Sequence, residues 1–357
     1  SVLGLPNGYE TFGNDVMRMR RSFDFLKAWS WRDFMKHGAK QPERIIEVAT
    51  AKAVVRAMDT VEDFTRKQLG GPVARFGIAG YSKLASVAFM VSAIDSRVKA
   101  LTPAAISLAL GSMFKDDAVE PPGQTYFMHQ FKPPSSPKEF AEKFKMSTFA
   151  YEYDVMLTAK GSPEFYSLHR IVDPMTYSPL LNGTAKMFMM CTKDNIFNDV
   201  LDKVAPIWPR MTGPKALKFV PNCEHEETLV RSLPTTASFF RGQITGASMP
   251  EIKWRFERPK RKISVTLASG HVPMRVHLLT GDGGEAKDFY AGSFWTAEAL
   301  NMTQDGGVST FAGTIPLPPK THFQGGFLQL EYEWPEPGFS YQITTPLWVV
   351  AAENPKL

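Results

Sequence analysis

Arg75-Phe76-Gly77-Ile78-Ala79-Gly80-Tyr81-Ser82-Lys83-Leu84-Ala85-Ser86 is the stretch that decides how this chain folds. A short apolar run enters Gly80-Tyr81-Ser82, and an apolar helical pattern over 84–94 leaves it. A serine on a tight turn between strand and helix is a nucleophile elbow. The backbone is strained at such a turn, and strand and helix pack closely behind it, so small residues are needed there. Gly80 supplies one of them. The position two after the serine, where a second glycine is usual, holds Leu84, with Ala85 next to it. Gly-x-Ser alone recurs by chance, so the role of Ser82 rests on what the rest of the chain sets beside it.

Working outward, residues 2–7 read as the tail of a buried strand that stops at Pro6-Asn7. Asn14 can cap a helix over 15–28, in which Val16, Met19, Phe23 and Leu26 recur at helical spacing. A second helix over 42–68 carries Ile46, Ala49, Ala53, Ala57, Val61 and Phe64 on one face, and Gly70-Gly71-Pro72 breaks it. Strands follow over 74–79 and 98–102. From 111 to 137 the pattern dissolves into Pro, Gly, Asp and Ser, and amphipathic helices follow over 138–158 and 163–170. An insertion of this kind, about 104–170, forms a cap over the strand ends of an open sheet. Apolar strands over 186–191 and 216–220 alternate with helical segments over 199–207 and 227–244, the last kinked by Pro234. Strand alternating with helix argues an α/β fold with a doubly wound, mostly parallel sheet.

Past Met249 the texture changes. Trp254/Phe256, Ile263/Val265/Leu267, Met274/Val276/Leu278, Leu328/Leu330/Tyr332 and Leu347/Val349 alternate with polar neighbours between Gly, Pro and Asp clusters. That is the pattern of a β-sandwich of immunoglobulin-like size. The expected division is therefore an α/β domain over 1–248 and a β-sandwich over 249–357.

The chain has 357 residues, 43% hydrophobic and 22% charged, enough for a large core and two domains. A net charge of +5 is mild, and no groove-binding motif accompanies it, so nucleic acid is not an expected partner. The densest basic run, 255–262, lies beside Trp254 and Phe256 and reads as a solvated edge near a domain junction. No run of apolar residues is long enough to span a bilayer. Ser1 is not an initiator methionine, which suits a processed product or a part of a longer chain. Asn182-Gly183-Thr184 and Asn301-Met302-Thr303 are glycosylation sequons and permit a secretory route.

A nucleophilic serine needs a base to take its proton and an acid to hold that base in the right tautomer. In an α/β-hydrolase these follow in the order Ser, acid, His, the last two beyond successive parallel strands. The chain offers Ser82, then Asp194 just past one strand, then His225 just past the next. Carboxyl ends of strands are where open α/β sheets place ligands. Other roles remain open: Asp194 as a helix cap, Asp199 as a rival acid, and His225 as a surface histidine among Glu224, Glu226 and Glu227. His129 and His277 lack the strand-end context and read as structural. No HExxH, CxxC or paired-histidine spacing marks a metal, no glycine-rich phosphate loop is present, and no cofactor is implied. Cys191 and Cys223, the only cysteines, end neighbouring strands, where either a disulfide pinning acid to base or two buried thiols would fit.

Several segments resemble the PhoPQ-activated pathogenicity-related proteins, a family with bacterial members and secreted protist relatives of the autocrine proliferation repressor type. They are Leu5-Pro6-Asn7, Ala53-Val54-Val55-Arg56-Ala57-Met58-Asp59, Gly80-Tyr81-Ser82-Lys83, Asp95-Ser96-Arg97-Val98, Val172-Asp173-Pro174 with Tyr177, and Asp194 with Phe197 and Asp199. Val220-Pro221-Asn222 with His225, Asp288-Phe289 and Thr344-Thr345 continue the likeness. The resemblance implies an α/β-hydrolase domain with an appended β-sandwich, and Ser82, Asp194 and His225 as a catalytic triad. It supplies no substrate; the fold suggests hydrolysis of an ester or peptide acyl group. The backbone N–H of Lys83 would give one half of the oxyanion hole. Two features depart from the family: Leu84-Ala85-Ser86 replaces Arg-Gly-Trp after the lysine, and the chain starts at what corresponds to the fourth strand. The expectation is that an N-terminal segment or a second chain completes the sheet, in a secreted, endomembrane or periplasmic-type compartment. The competing expectation is a catalytically silent hydrolase-fold protein with a structural, assembly or signalling role. Carbohydrate binding through exposed aromatics such as Trp295 and Trp334 is a third.

Overall fold

The computed structural model describes residues 23–108, 161–194, 201–268, 270–292, 294–305 and 308–352, with a few isolated positions between them. The expected strand over 2–7, Asp199, His129 and most of the expected cap lie outside the described residues. The expected helix over 15–28 is described only from Phe23.

Helix α1 (Phe23–Lys36) runs eight residues further than the pattern suggests. Trp29-Ser30-Trp31 are indifferent helix formers, but Trp29 and Trp31 are buried, and the Trp31 indole N–H donates to both oxygens of Glu47 at 3.1 and 3.0 Å. Packing overrides propensity here. A 3-10 turn over Pro42–Arg44 leads into α2 (Ile46–Gln68). Its buried face is Glu47, Ala51, Met58 and Thr65, whereas Ala49 and Phe64 are exposed, so the helix is rotated from the expected Ile46–Ala49–Phe64 face. The chain offers two weak apolar stripes. The one chosen puts Ala51, Val54, Val55 and Met58 against Val87 and Val91 and carries Glu47 to its indole partner.

Then come β1 (Phe76–Tyr81), α3 (Lys83–Ile94), β2 (Val98–Ala104) and α4 (Pro163–Val172). Next are β3 (Ala185–Cys191), the single turn α5 (Val204–Ile207), β4 (Lys215–Val220) and α6 (Thr228–Thr245). The four strands pair in the order β1-β2-β3-β4, every neighbour parallel. Buried residues of α3 join β1 and β2 on one face. On the other, Phe240 of α6 sits over Gly77, where a Cβ would come within 2.5 Å of its ring. Strand β3 is buried at every position, as a strand covered on both sides requires. This is an α/β-hydrolase-like architecture.

The rest is antiparallel. Strands β5 (Ile252–Glu257), β6 (Lys262–Leu267), β7 (Arg275–Gly284) and β8 (Thr296–Ala299) come first. Strands β9 (Thr303–Asp305), β10 (Val308–Thr314), β11 (Phe323–Glu333), β12 (Ser340–Thr344) and β13 (Trp348–Ala351) follow. They form one sheet ordered β5-β6-β10-β9 and another ordered β12-β11-β7-β8, with β13 also on β11. Ile263, Val265 and Phe311 from the first share a core with Leu278, Leu328 and Leu330 from the second. That core does not stop at the parallel sheet: Met187, Met189 and Phe239 belong to it, and Leu279, Phe289 and Phe327 pack with Phe188 and Phe219. Beside β4, the Thr344 hydroxyl accepts from the Phe219 N–H at 3.0 Å, so the antiparallel region covers an edge that would otherwise invite pairing.

Candidate active site

Ser82 follows β1 directly and holds φ 52°, ψ −128°, a conformation costly for any residue with a Cβ. It is held from both sides: its N–H donates to Ala104 O and its carbonyl accepts from the Ala85 N–H, both at 2.9 Å. The turn is tight enough that a Cβ on Gly80 would lie 2.5 Å from Leu84 O and 2.8 Å from Ala88 Cβ. The squeeze falls on the backbone of Leu84 and on Ala85, which is fully buried. The Leu84 side chain packs with the cluster of Val87 and Val91 instead. A leucine is therefore accommodated where a glycine is usual, because the contact with the strand is made by its carbonyl.

Asp194 stands three residues beyond Cys191 and is completely buried. One carboxylate oxygen accepts from the Phe197 N–H at 2.8 Å, and the other is 2.9 Å from His225 Nδ1. His225 opens a 3-10 turn whose preceding residue, Glu224, makes a reciprocal capping box with Glu227. Its Nε2 lies 3.0 Å from Ser82 Oγ. An ionised carboxylate accepts, so the proton belongs on Nδ1 and the Nε2 lone pair faces the serine hydroxyl. The structure thus brings Ser82, His225 and Asp194 into one hydrogen-bonded chain. Lys83 is the first residue of α3, at the helix end whose dipole favours negative charge.

Cys191 and Cys223 form a disulfide with Cα atoms 4.9 Å apart, tying the loop of the acid to the loop of the histidine. Around it, the Lys193 N–H donates to Cys223 O and the Asn222 N–H to Thr192 Oγ1, each at 3.0 Å. The Thr228 hydroxyl lies 3.1 Å from Cys191 Sγ and donates to the His225 carbonyl at 2.8 Å.

Other residues take part in the site in ways the sequence did not assign. Tyr81, the middle residue of Gly-x-Ser, donates its hydroxyl to the His225 carbonyl at 2.7 Å and sets its ring 5.0 Å from the imidazole. Burial, then the charges of Glu226 and Asp194, hold that phenol well above its ordinary pKa, so it stays a donor. Phe197 adds its ring at 5.7 Å from the imidazole. Asn222, in the left-handed region at φ 52°, exchanges two hydrogen bonds with the Trp295 backbone, at 2.9 and 2.6 Å. The Lys193 ammonium donates to Gly292 O at 2.6 Å. Residues flanking the acid and the histidine are therefore clasped by the β7–β8 connection. Pro221-Asn222 was the visible signal for one end of this clasp, and nothing local marked the other.

Trp295 and Trp334 are only 4% and 2% exposed, which overturns the expectation of a carbohydrate site on them. Each fills a slot left by a glycine: a Cβ would lie 2.5 Å from the Trp295 ring on Gly281 and 2.0 Å from the Trp334 ring on Gly242. Asn182 and Asn301 are exposed. Among the described residues no group of three metal-ligating side chains converges, and no helix is long and apolar enough to cross a membrane.

Among solved structures, the chain is similar to DcsB in complex with a substrate analogue, at 14% identity over 55% of this chain and 72% of that one, TM-score 0.34. It is also similar to 2,6-dihydroxy-pseudo-oxynicotine hydrolase, at 11% identity over 55% of this chain and 47% of that one, TM-score 0.33. Acetyl xylan esterase 1 from Thermoanaerobacterium sp. JW/SL YS485 aligns at 14% identity over 60% of this chain and 55% of that one, TM-score 0.30. No protein with a curated function matches. The sequence profile of the PhoPQ-activated pathogenicity-related proteins matches residues 1–116 and 136–290, through the elbow and both strand-end loops and into the first part of the β7–β8 connection. The chain belongs to the PhoPQ-activated pathogenicity-related protein family.

Proposed function

We propose that this protein is a serine hydrolase that cleaves an ester or peptide acyl group. The observation that carries the reading is the chain Ser82 Oγ–His225 Nε2–Asp194, at 3.0 and 2.9 Å, with the serine held at positive φ on the elbow. In this reading Ser82 Oγ attacks the acyl carbon and its proton passes to His225 Nε2. The carbonyl oxygen takes the charge facing the Lys83 N–H at the head of α3. His225 then gives the proton to the leaving alcohol or amine as the acyl–oxygen or acyl–nitrogen bond breaks. A water then attacks the acyl-enzyme carbonyl and gives a proton to Nε2, which passes it to Ser82 Oγ as the acyl–Oγ bond breaks and the acid leaves. Asp194 keeps the imidazole in the productive tautomer and stabilises its cation.

The buried disulfide supports an oxidising, secreted or endomembrane-type compartment. We read residues 249–357 as a β-sandwich module of immunoglobulin-like size that covers the edge of the hydrolase sheet. The altered residues after Lys83 favour a second reading, a silent hydrolase-fold protein. The two separate on covalent labelling by a fluorophosphonate probe. The enzyme reading expects the wild type to be labelled and Ser82→Ala not. Absence of labelling rejects it in favour of the silent protein, and labelling unchanged in Ser82→Ala rejects Ser82 as the nucleophile.

A further inference from the structure

A groove of about 670 Å³ opens where β5, the turn after it, β13 and α5 meet, and it shares no residue with the Ser82 site. Its apolar wall is Trp254, Phe256 and Trp348, each half-buried, with the last two rings 5.2 Å apart and 21° from parallel. Arg255 and Arg258 stand exposed on its lip, and the Arg258 guanidinium lies 6.0 Å from the Phe256 ring centroid. Between 252 and 262 there are six basic residues and one acid. That surplus equals the net charge of the whole chain, +5, so the charges of the remaining residues sum to zero.

Two of these cations are used locally: Lys260 pairs with Glu257 at 2.9 Å, and Arg261 donates to the Ile315 carbonyl at 3.1 Å. Among the described residues no carboxylate lies within ion-pair distance of Lys253, Arg255, Arg258 or Lys262. Glu257 registers the field: the hydrogen bond from Lys260 and the charges of Lys260, Arg255 and Lys262 hold its carboxyl below the usual range. Keeping the chain's whole positive surplus in one strand and turn costs repulsion unless an anion answers it.

We propose that this groove binds a short acidic oligosaccharide, one carrying carboxylate or sulfate groups. The guanidinium fork of Arg255 or Arg258 matches such groups bidentately. The C–H faces of pyranose rings pack on the aromatic surface that Trp254, Phe256 and Trp348, each only half-buried, leave open to the groove. Cations on β5 alone would be accounted for as protection of an edge strand. That account does not reach the turn, where Arg258 lies over an aromatic ring beside a groove. Single-stranded nucleic acid would want successive open ring faces along a basic track; here two rings cover one another and the basic stretch is one strand and its turn long.

The test is calorimetric titration of the full chain, at two salt concentrations, with a galacturonate tetrasaccharide and a heparin-derived tetrasaccharide. A neutral cello-tetraose and a single-stranded oligonucleotide of matched charge are the controls. The expected result is saturable binding of at least one acidic sugar and none of cello-tetraose. Arg255→Gln/Arg258→Gln should weaken it about tenfold or more, while the remote pair Arg66→Gln/Lys67→Gln leaves it within about twofold. Thermal unfolding of each variant confirms that it is folded, and Ser82→Ala should bind like the wild type whatever its activity. Equal binding of the neutral sugar, tighter binding of the oligonucleotide, no binding of either acidic sugar, or indifference to the two arginines would each overturn the proposal.

Discussion

At the scale of single residues, Tyr81 shows how a motif position counted as "any residue" takes on a role. The side chain preceding Ser82 reaches across to the His225 carbonyl, so serine and histidine are positioned by neighbours in one turn. Tyr81→Phe removes that donor and leaves Thr228 on the same carbonyl. The expected outcome is a loss of about 0.5–1.5 kcal/mol in stability by denaturant unfolding, with fluorophosphonate labelling slowed but not abolished. Labelling as fast as the wild type would remove Tyr81 from the positioning of His225. Lys218 is a residue of another kind. It is buried, its ammonium reaches Thr235 Oγ1 at 2.8 Å, and burial pushes its pKa down to about 8. In the unfolded chain it titrates near 10.4. Between those values the unfolded state holds more protons, so the Lys218 contribution to stability rises with pH through that window. Below it the cost of burying the charge is present in full. Lys218→Met is expected to raise stability at pH 7 by roughly 1–3 kcal/mol and lessen the rise between pH 8 and 10, to which Lys186, pushed down to about 8 by burial, also contributes. Chemical denaturation across that range measures both.

At the scale of elements, the loops after β3 and β4 behave as one unit. Their strands are hydrogen-bonded neighbours, their ends are joined by Cys191–Cys223, and they deliver Asp194 and His225 to the same serine. The bridge spans 32 residues. Cys191→Ala/Cys223→Ala is expected to cost about 3–4 kcal/mol by the loop-closure argument. It should also slow probe labelling relative to a matched variant with the bridge intact, because the acid and histidine loops lose their tie. Equilibrium unfolding under oxidising and reducing conditions separates the bridge from the substitution, since the double variant should be indifferent to reductant. The face chosen by α2 is an element-scale decision too. Periodicity located the helix, but two stripes of comparable apolarity left its rotation open. The buried Glu47, with Trp31 as donor, belongs to the face that won.

At the scale of the whole molecule, the change of texture near residue 249 is real in topology, parallel before and antiparallel after. It does not divide the core. Phe188 and Phe219 lean on Phe327, Met187 on the Tyr341 hydroxyl, and Asn222 on the Trp295 backbone. A 1–248 fragment would expose those side chains and the covered side of β4. It is expected to give no cooperative unfolding transition and to aggregate, whereas the full chain unfolds as one unit with 1–248 and 249–357 together. A soluble, cooperatively folding 1–248 fragment would show the shared core to be dispensable.

What the sequence determined by itself was local in origin. Continuous apolar runs and helical periodicity set the kind and order of the strands and helices of the parallel sheet, and period-two alternation marked the antiparallel strands after it. Strand ends named Ser82, Asp194 and His225 as the residues to watch, because a parallel sheet gathers the carboxyl ends of its strands along one edge. Only the tertiary structure decided which stripe of α2 is buried, that Trp295 and Trp334 fill glycine slots inside the core, and that the β7–β8 connection holds the loops of the acid and histidine. The tertiary structure also chose the bridged state of Cys191 and Cys223 over two packed thiols. Each of those turns on a partner far away in the chain. Periodicity and propensity are properties of a dozen neighbouring residues, and they carry no information about which distant surface a side chain will meet.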